Sequence, residues 1–237
     1  MNVVEKLVDA KKNPAERRSL RQAILDSNQV SLICEAKKAS PSKGLLSDFD
    51  VPRRARLMED AGACGISILT EPLYFNGSLN DLLNARGETT LPLLRKDFIC
   101  FDWEIPESKN FGADAILLIV AVLGQDTERY VERAHKMGLE ALVEAHNLAE
   151  LEVANKSGAD LIGINNRNLK TLEVDLGVFK ELAPYAAEDT PLVAESGVLS
   201  REDVVRMGKA GADAVLVGGA LSKAKDAGEK IRCLNGG

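Results

Sequence analysis

The stretch GADAILLI, residues 112 to 119, sets a glycine and a short polar link in front of an unbroken apolar run. The same layout recurs in GACGISIL (62 to 69), GLEALVEA (138 to 145), GADLIGIN (158 to 165) and GADAVLVG (211 to 218). A glycine that closes a helical pattern and precedes such a run signals a helix end feeding a buried strand. The two wide intervals in the series each contain a further strand-like run, LPLLRKDF (91 to 98) and PLVAES (191 to 196). Adding SLICEAK (31 to 37) makes eight strands, separated by helical patterns such as VPRRARLMEDAG, DTERYVERAHKMG and REDVVRMGKAG. Eight continuously apolar strands alternating with helices in 237 residues predict an α/β fold, the (β/α)8 TIM barrel. The alternative, an open doubly wound sheet, lacks a GxGxxG after its first strand.

No linker, low-complexity tract or long charge run divides the chain. A single domain is therefore expected, with the barrel over residues 31–237 and a short helical N-terminal extension over 1–30. A formal charge of −6 argues against a nucleic-acid partner. The opening MNVVEKLVDAKKNPAERR lacks the apolar core of a secretory signal, and no apolar run is long enough to span a bilayer. A cytoplasmic protein without a membrane partner is the expectation. Cys34, Cys64, Cys100 and Cys233 show no CxxC spacing and stand mostly beside apolar residues, which predicts small buried thiols and no metal site. Trp103 reads as packing, His135 as a surface residue and His146 as a loop contact near the strand ends.

Charged residues close several apolar strands. Strand alternation puts Ile33, Glu35 and Lys37 on one face of the first strand, and Cys34, Ala36 and Lys38 on the other. If the first set faces inward, Glu35 and Lys37 stand at the carboxyl mouth of the barrel. Lys96, Glu144, Asn165 and Glu195 end four other strands in the same manner. Taken singly, each could be half of an ion pair filling the barrel top. Together, six polar groups from five strands at the rim where this fold carries its active sites predict a catalytic centre. Two glycine-bearing loops follow the last two strands: Ser196-Gly197, ahead of a helix opened by Ser200, and Gly218-Gly219, ahead of another short helix. Bare backbone N–H groups and helix N-termini at these two strands predict a phosphate site.

In order along the chain, EAKKASPSKG, ILTEPLYFNGSLNDL, LLRKDFI, GADAILLIVAVL, LVEAH, GINNRNL, VAESGV and AVLVGGAL resemble the indole-3-glycerol phosphate synthases, the barrel enzymes of tryptophan biosynthesis. The resemblance runs from about residue 31 to 222. It implies a carbon–carbon lyase acting on 1-(2-carboxyphenylamino)-1-deoxyribulose 5-phosphate, by ring closure, decarboxylation and dehydration, with no cofactor and with other tryptophan-pathway enzymes as candidate partners. Carried over residue by residue, catalytic roles fall on Glu35, Lys37, Lys96, Glu144, Asn165, Glu195 and Ser196. The substrate phosphate falls on Ser40, Gly197, Gly218 and Gly219. The aromatic ring falls near Pro41, Phe75, Phe98, Leu117 and Leu169, with Arg167 close by.

Ring closure needs a proton donor for the ketone oxygen, a role assigned to Lys96, while Lys37 and Glu144 are candidates for the acid and base of dehydration. Glu35 and Glu195 would orient the lysines, and Asn165 would help hold the reacting segment. Lys37, Lys96, Arg167 and the helix N-termini are expected to make the mouth positive under an acidic exterior. Departures from the family pattern are a shorter segment before the first strand, Glu104, Pro106 and Lys109 in WEIPESK, and Gly219, Ser222 and Lys223 in GGALSKAKD. Two rivals differ in their demands. A barrel isomerase would need an inward strand-end cysteine, whereas Cys34 has outward parity, and a non-catalytic scaffold would not need the Lys37, Lys96 and Glu144 set.

Overall fold

Closure of the sheet separates the two candidate folds. The computed structural model describes residues 18–40, 44–46 and 49–237. Its parallel strands are β1 (Ser31–Ala36), β2 (Gly65–Leu69), β3 (Leu93–Lys96), β4 (Ala115–Ile119), β5 (Glu140–Ala145), β6 (Leu161–Asn165), β7 (Leu192–Glu195) and β8 (Ala214–Val217). They pair in chain order, and β1 pairs both with β2, through Ile33 and Gly65, and with β8, through Ser31 and Ala214. The sheet is therefore a closed (β/α)8 barrel and not an open doubly wound sheet. A two-stranded ribbon, Ala39–Ser40 against Gly44–Leu45, stands beside its mouth.

The helices are α1 (Leu20–Leu25), α2 (Val51–Asp60), α3 (Leu79–Arg86), α4 (Glu104–Asn110), α5 (Val120–Leu123), α6 (Thr127–Lys136), α7 (Leu148–Lys156), α8 (Gly177–Leu182), α9 (Arg201–Lys209), α10 (Gly219–Lys223) and α11 (Ala227–Asn235). Local chemistry starts them. Side chains of Asp50, Ser78, Asn147 and Asp226 accept a backbone N–H from the first turn of α2, α3, α7 and α11. The glycines of the repeated layout, Gly62, Gly112, Gly138, Gly158 and Gly211, all have φ between 68° and 103°. That left-handed conformation lets each chain leave its helix and enter the next strand.

Alternation along the strands makes two cores. Ile33, Leu94, Leu117, Leu142, Leu161 and Val193 fill the barrel, joined from below by Leu20 and Ile24 of α1. Residues of the other parity, including Cys34, Ile66, Ile116, Val143 and Ile162, pack outward against the helices. The N-terminal end is sealed electrostatically as well. The Glu140 carboxylate accepts hydrogen bonds from Ser19 Oγ, from Leu20 N at 2.7 Å and from Arg21 N at 3.0 Å, so a negative charge sits at the start of α1. Of the expected N-terminal extension, residues 1–17 lie outside the described residues.

Two expectations for packing residues need correction. Cys100 and Cys233 are exposed, although Cys34 is buried. On α11 the buried neighbours Ile231 and Leu234 occupy the inner face, and the helical step turns Cys233 away from them. Trp103 is 59% exposed and stacks on Phe101 at 6.0 Å instead of entering a core. Among the described residues, no helix is long and apolar enough to cross a membrane.

Candidate active site

The inward parity of β1, β3, β5, β6 and β7 carries Glu35, Lys96, Glu144, Asn165 and Glu195 to the carboxyl ends of their strands, where they line one cavity of about 650 Å³. Lys37, one residue beyond β1, joins them there. Lys37 Nζ stands 2.6 Å from Glu35 Oε1. Lys96 Nζ lies between two carboxyls, 3.0 Å from Glu195 Oε2 and 3.4 Å from Glu144 Oε2. Both of those glutamates are almost wholly buried, at 1% and 2% exposure.

Burial opposes the charge on all three groups, and the neighbours decide the outcome. Glu195, then Glu144 and Glu35, hold the Lys96 ammonium above the ordinary lysine range despite its desolvation. Lys96 and His146 hold Glu144 below the ordinary carboxylate range, whereas burial, reinforced by the Glu144 charge, pushes Glu195 up. The two carboxyls titrate as a pair around one ammonium.

The loops after the last strands form the opposite side of the cavity. Ser196 and Gly197 both have positive φ, 63° and 87°. A Cβ on Gly197 would stand 2.7 Å from Val174 Cγ1 and 2.8 Å from Leu176 Cδ2, so the glycine lets the loop after β6 close over it. Gly218 is required for a different reason: a Cβ there would collide with the Glu35 carboxylate, while Gly219 faces open space. No side chain caps the N-terminus of α10. Ser200 opens α9, as expected, in a capping box with Asp203. Asp203 Oδ2 accepts from Leu199 N and Ser200 N, each at 3.0 Å, and Ser200 Oγ accepts from Asp203 N at 3.3 Å.

Phe75, Phe98, Leu117 and Leu169 form an apolar wall of the same cavity, and Arg167 lines it too. Ser40 does not line it. Its place in the short ribbon keeps it at the side, with Ala39 N donating to Phe75 O at 3.2 Å, and Pro41 lies outside the described residues.

A match over residues 2–234 to the family model described as indole-3-glycerol phosphate synthase decides the lineage. The chain belongs to the indole-3-glycerol phosphate synthase family. An indole-3-glycerol phosphate synthase of Methanopyrus kandleri is 45% identical over 98% of this chain and 92% of its own, and one from Dehalococcoides mccartyi strain CBDB1 is 46% identical over 88% and 82%. Among solved structures, thiamine phosphate pyrophosphorylase from Pyrococcus furiosus superimposes with a TM-score of 0.67 at 18% identity, covering 92% of this chain and 96% of that one. A mutant tryptophan synthase alpha-subunit from the same organism also gives 0.67, at 16% identity over 87% and 98%. At that identity the likeness shows the shared barrel.

Several residues of this synthase-family mouth escape a reading by strand parity. Glu71 lines it, and its carboxylate accepts from Leu73 N at 2.8 Å, Tyr74 N at 2.7 Å and Phe75 N at 3.2 Å, which fixes the loop carrying Phe75. Asn166 is buried behind the rim. Its Nδ2 donates to Glu195 O at 3.0 Å and Ser196 O at 3.2 Å, and its Oδ1 accepts from Phe179 N at 3.0 Å, joining the ends of β6 and β7 to α8. The cavity lining contains four cations, Lys37, Lys96, Arg167 and Lys223, against five acidic residues, Glu35, Glu71, Asp97, Glu144 and Glu195. The mouth is therefore not net positive, in contrast to expectation; Lys37 and Lys96 are ion-paired with its glutamates. Cys34, the residue an isomerase mechanism would need, faces the helices with its thiol pushed up by burial.

Proposed function

We propose that the mouth converts 1-(2-carboxyphenylamino)-1-deoxyribulose 5-phosphate to indole-3-glycerol phosphate with Lys96 as the general acid of ring closure. The family supplies the activity, that of a carbon–carbon lyase of tryptophan biosynthesis acting on a small phosphorylated substrate. The observation that carries the assignment is Lys96 Nζ at 3.0 Å and 3.4 Å from two buried carboxyls in the cavity at the barrel mouth. An ammonium held charged in that setting donates to the ketone oxygen as the aryl carbon attacks, and carbon dioxide then leaves the same ring carbon.

Loss of carbon dioxide restores the benzene ring, and dehydration of the resulting alcohol completes the aromatic five-membered ring of the indole. In this reading Lys37 protonates the departing hydroxyl and Glu144 takes the ring proton, so that carbon dioxide and water are the only other products. Glu35 orients Lys37, Glu195 orients Lys96, and Asn165 with Ser196 holds the sugar chain between them. The phosphate lies against Gly197, Gly218 and Gly219, with Lys223 on the same wall; the aromatic ring lies among Phe75, Phe98, Leu117 and Leu169, with Arg167 facing its carboxylate. The location of Ser40 outside the cavity lining gives no support to a phosphate contact there. The same reading assigns the enzyme to a reducing cytoplasm, which four unbridged cysteines support, with other enzymes of the pathway as candidate partners. Mixing the protein with the carboxyphenylamino substrate and following indole absorbance tests the proposal: steady turnover without added metal or cofactor is expected, and no indole from folded protein would refute it.

A further inference from the structure

Lys96 stands closer to Glu195 than to Glu144, so on distance alone Glu195 should carry the negative charge. A second basic group reaches only Glu144 of the pair. His146, just beyond β5, has Nε2 3.1 Å from Glu144 Oε1 and Nδ1 2.9 Å from Glu150 Oε2. Its backbone N–H donates to that same Glu150 oxygen at 2.9 Å. Glu150 is itself anchored on α7, its N–H donating to Asn147 Oδ1 at 3.0 Å and its Oε1 accepting from Asn147 Nδ2 at 2.6 Å. The Nδ1–Glu150 contact is a hydrogen bond and the Nε2–Glu144 contact an ion-pair distance without hydrogen-bond geometry, and a carboxylate on each side of the ring favours its charged form.

We propose that His146, an imidazolium clamped between Glu144 and Glu150, is a positioning residue that makes Glu144 the ionised carboxylate of the buried pair and leaves Glu195 protonated. This rests on the reading of Glu144 as the base of dehydration, which must be charged before it can accept the ring proton. Burial works against charge on His146, but the flanking Glu144 and Glu150 lift it to about 9. Arg167, Lys170, Glu173 and Asp175, on the loop between β6 and α8, are the other charged groups lining the same outer cavity of about 450 Å³, to which α5 contributes only Ala121. Among the described residues, the ion-pair partners of His146 are Glu144 and Glu150. That outer cavity brings solvent to His146 and Glu150 without reaching the buried Glu144 carboxylate directly.

Only two histidines are present, so imidazole ¹⁵N spectra of the full chain resolve the question without turnover. With His135→Asn to assign the signals, His146 is expected to stay doubly protonated through pH 8, and Glu150→Gln to lower its titration midpoint while His135 is unmoved. A midpoint at the ordinary histidine value overturns the proposal. In kinetics, loss of a cation at this distance moves a carboxyl by about 1–3 pH units, here upward. His146→Asn should therefore move the acidic limb of kcat up by that amount, with KM within about threefold, whereas an equal loss of kcat at every pH would reduce His146 to a structural contact and overturn the proposal. Should that variant fail to fold, Glu150→Gln must move the limb in the same direction; an unmoved limb overturns the proposal. Full activity of Glu144→Gln would instead refute the base reading and the catalytic half of the proposal, a failure distinct from that of the spectra.

Discussion

Replacing Lys96 with Met removes the one cation that two buried carboxyls share. At 3.4 Å, with an effective dielectric constant of about 20, the attraction between Lys96 and the ionised Glu144 is about 5 kcal/mol before desolvation is counted, and Lys96 also donates to Glu195 at 3.0 Å. Deleting one partner of such a buried pair costs roughly 3–5 kcal/mol net, a large share of an ordinary domain stability of about 5–15 kcal/mol. The thioether fills the space, so the loss is electrostatic and depends on pH. In the native protein the lowered Glu144 contributes stability that is present above the ordinary carboxylate range and is lost as pH falls through its depressed value. In the variant both carboxyls shift upward and bind protons more tightly than the unfolded chain does, so between pH 8 and pH 5 stability should rise as pH falls. Urea unfolding across that range measures it, and Lys96→Met/Glu144→Gln should recover much of the loss at pH 8. In both variants kcat should fall by roughly 10²–10⁴, since no proton donor for ring closure is restored. Unchanged stability at pH 8 with an unaltered pH slope would refute the reasoning about the shared charge.

The glycine loops give a paired test: Gly219→Asp, which enters open space, should raise KM by repelling phosphate with kcat largely kept, whereas Gly218→Asp should lower kcat as well because its side chain displaces Glu35 and through it Lys37. Steady-state kinetics with inorganic phosphate as competitor separates the two, and equal effects on KM and kcat from both would remove the phosphate from these loops. Cys34→Ala, buried on the helix side of β1, should leave kcat within about twofold and cost about 1 kcal/mol in urea unfolding. Glu140→Ala, at the closed end of the barrel, should cost roughly 2–3 kcal/mol by stripping the acceptor from the start of α1, with kcat of the folded protein unchanged at 25 °C; a loss of kcat without a loss of stability would contradict its assignment to the floor.

The barrel was legible because its signal repeats: five helix ends pass through a left-handed glycine into a strand that is largely apolar because both of its faces are buried. The rim was legible through parity, since a charged residue at the inner position of a strand end has nowhere to lie but the mouth. What parity cannot see is a contact made from a loop or a helix. Glu71 acts by folding its carboxylate back on three N–H groups, and Glu150 meets His146 only because α7 packs beside β5. The opening of α9 at Ser200 was legible, and Asp203 three residues beyond completes a capping box spelled out in SRED. Ser40 depended on the course of a ribbon that no periodicity encodes.

The central claim is that Lys96 serves ring closure and Glu144 the later loss of the ring proton, at one mouth and in that order. Single-turnover quench-flow on excess Glu144→Gln enzyme, following carbon dioxide and indole together, tests it most directly. Carbon dioxide should be released at a rate near that of the parent enzyme while indole lags by roughly 10²-fold or more, whereas Lys96→Met should slow both together. Simultaneous release of carbon dioxide and indole from Glu144→Gln, at the parent rate or uniformly slowed, would contradict the account.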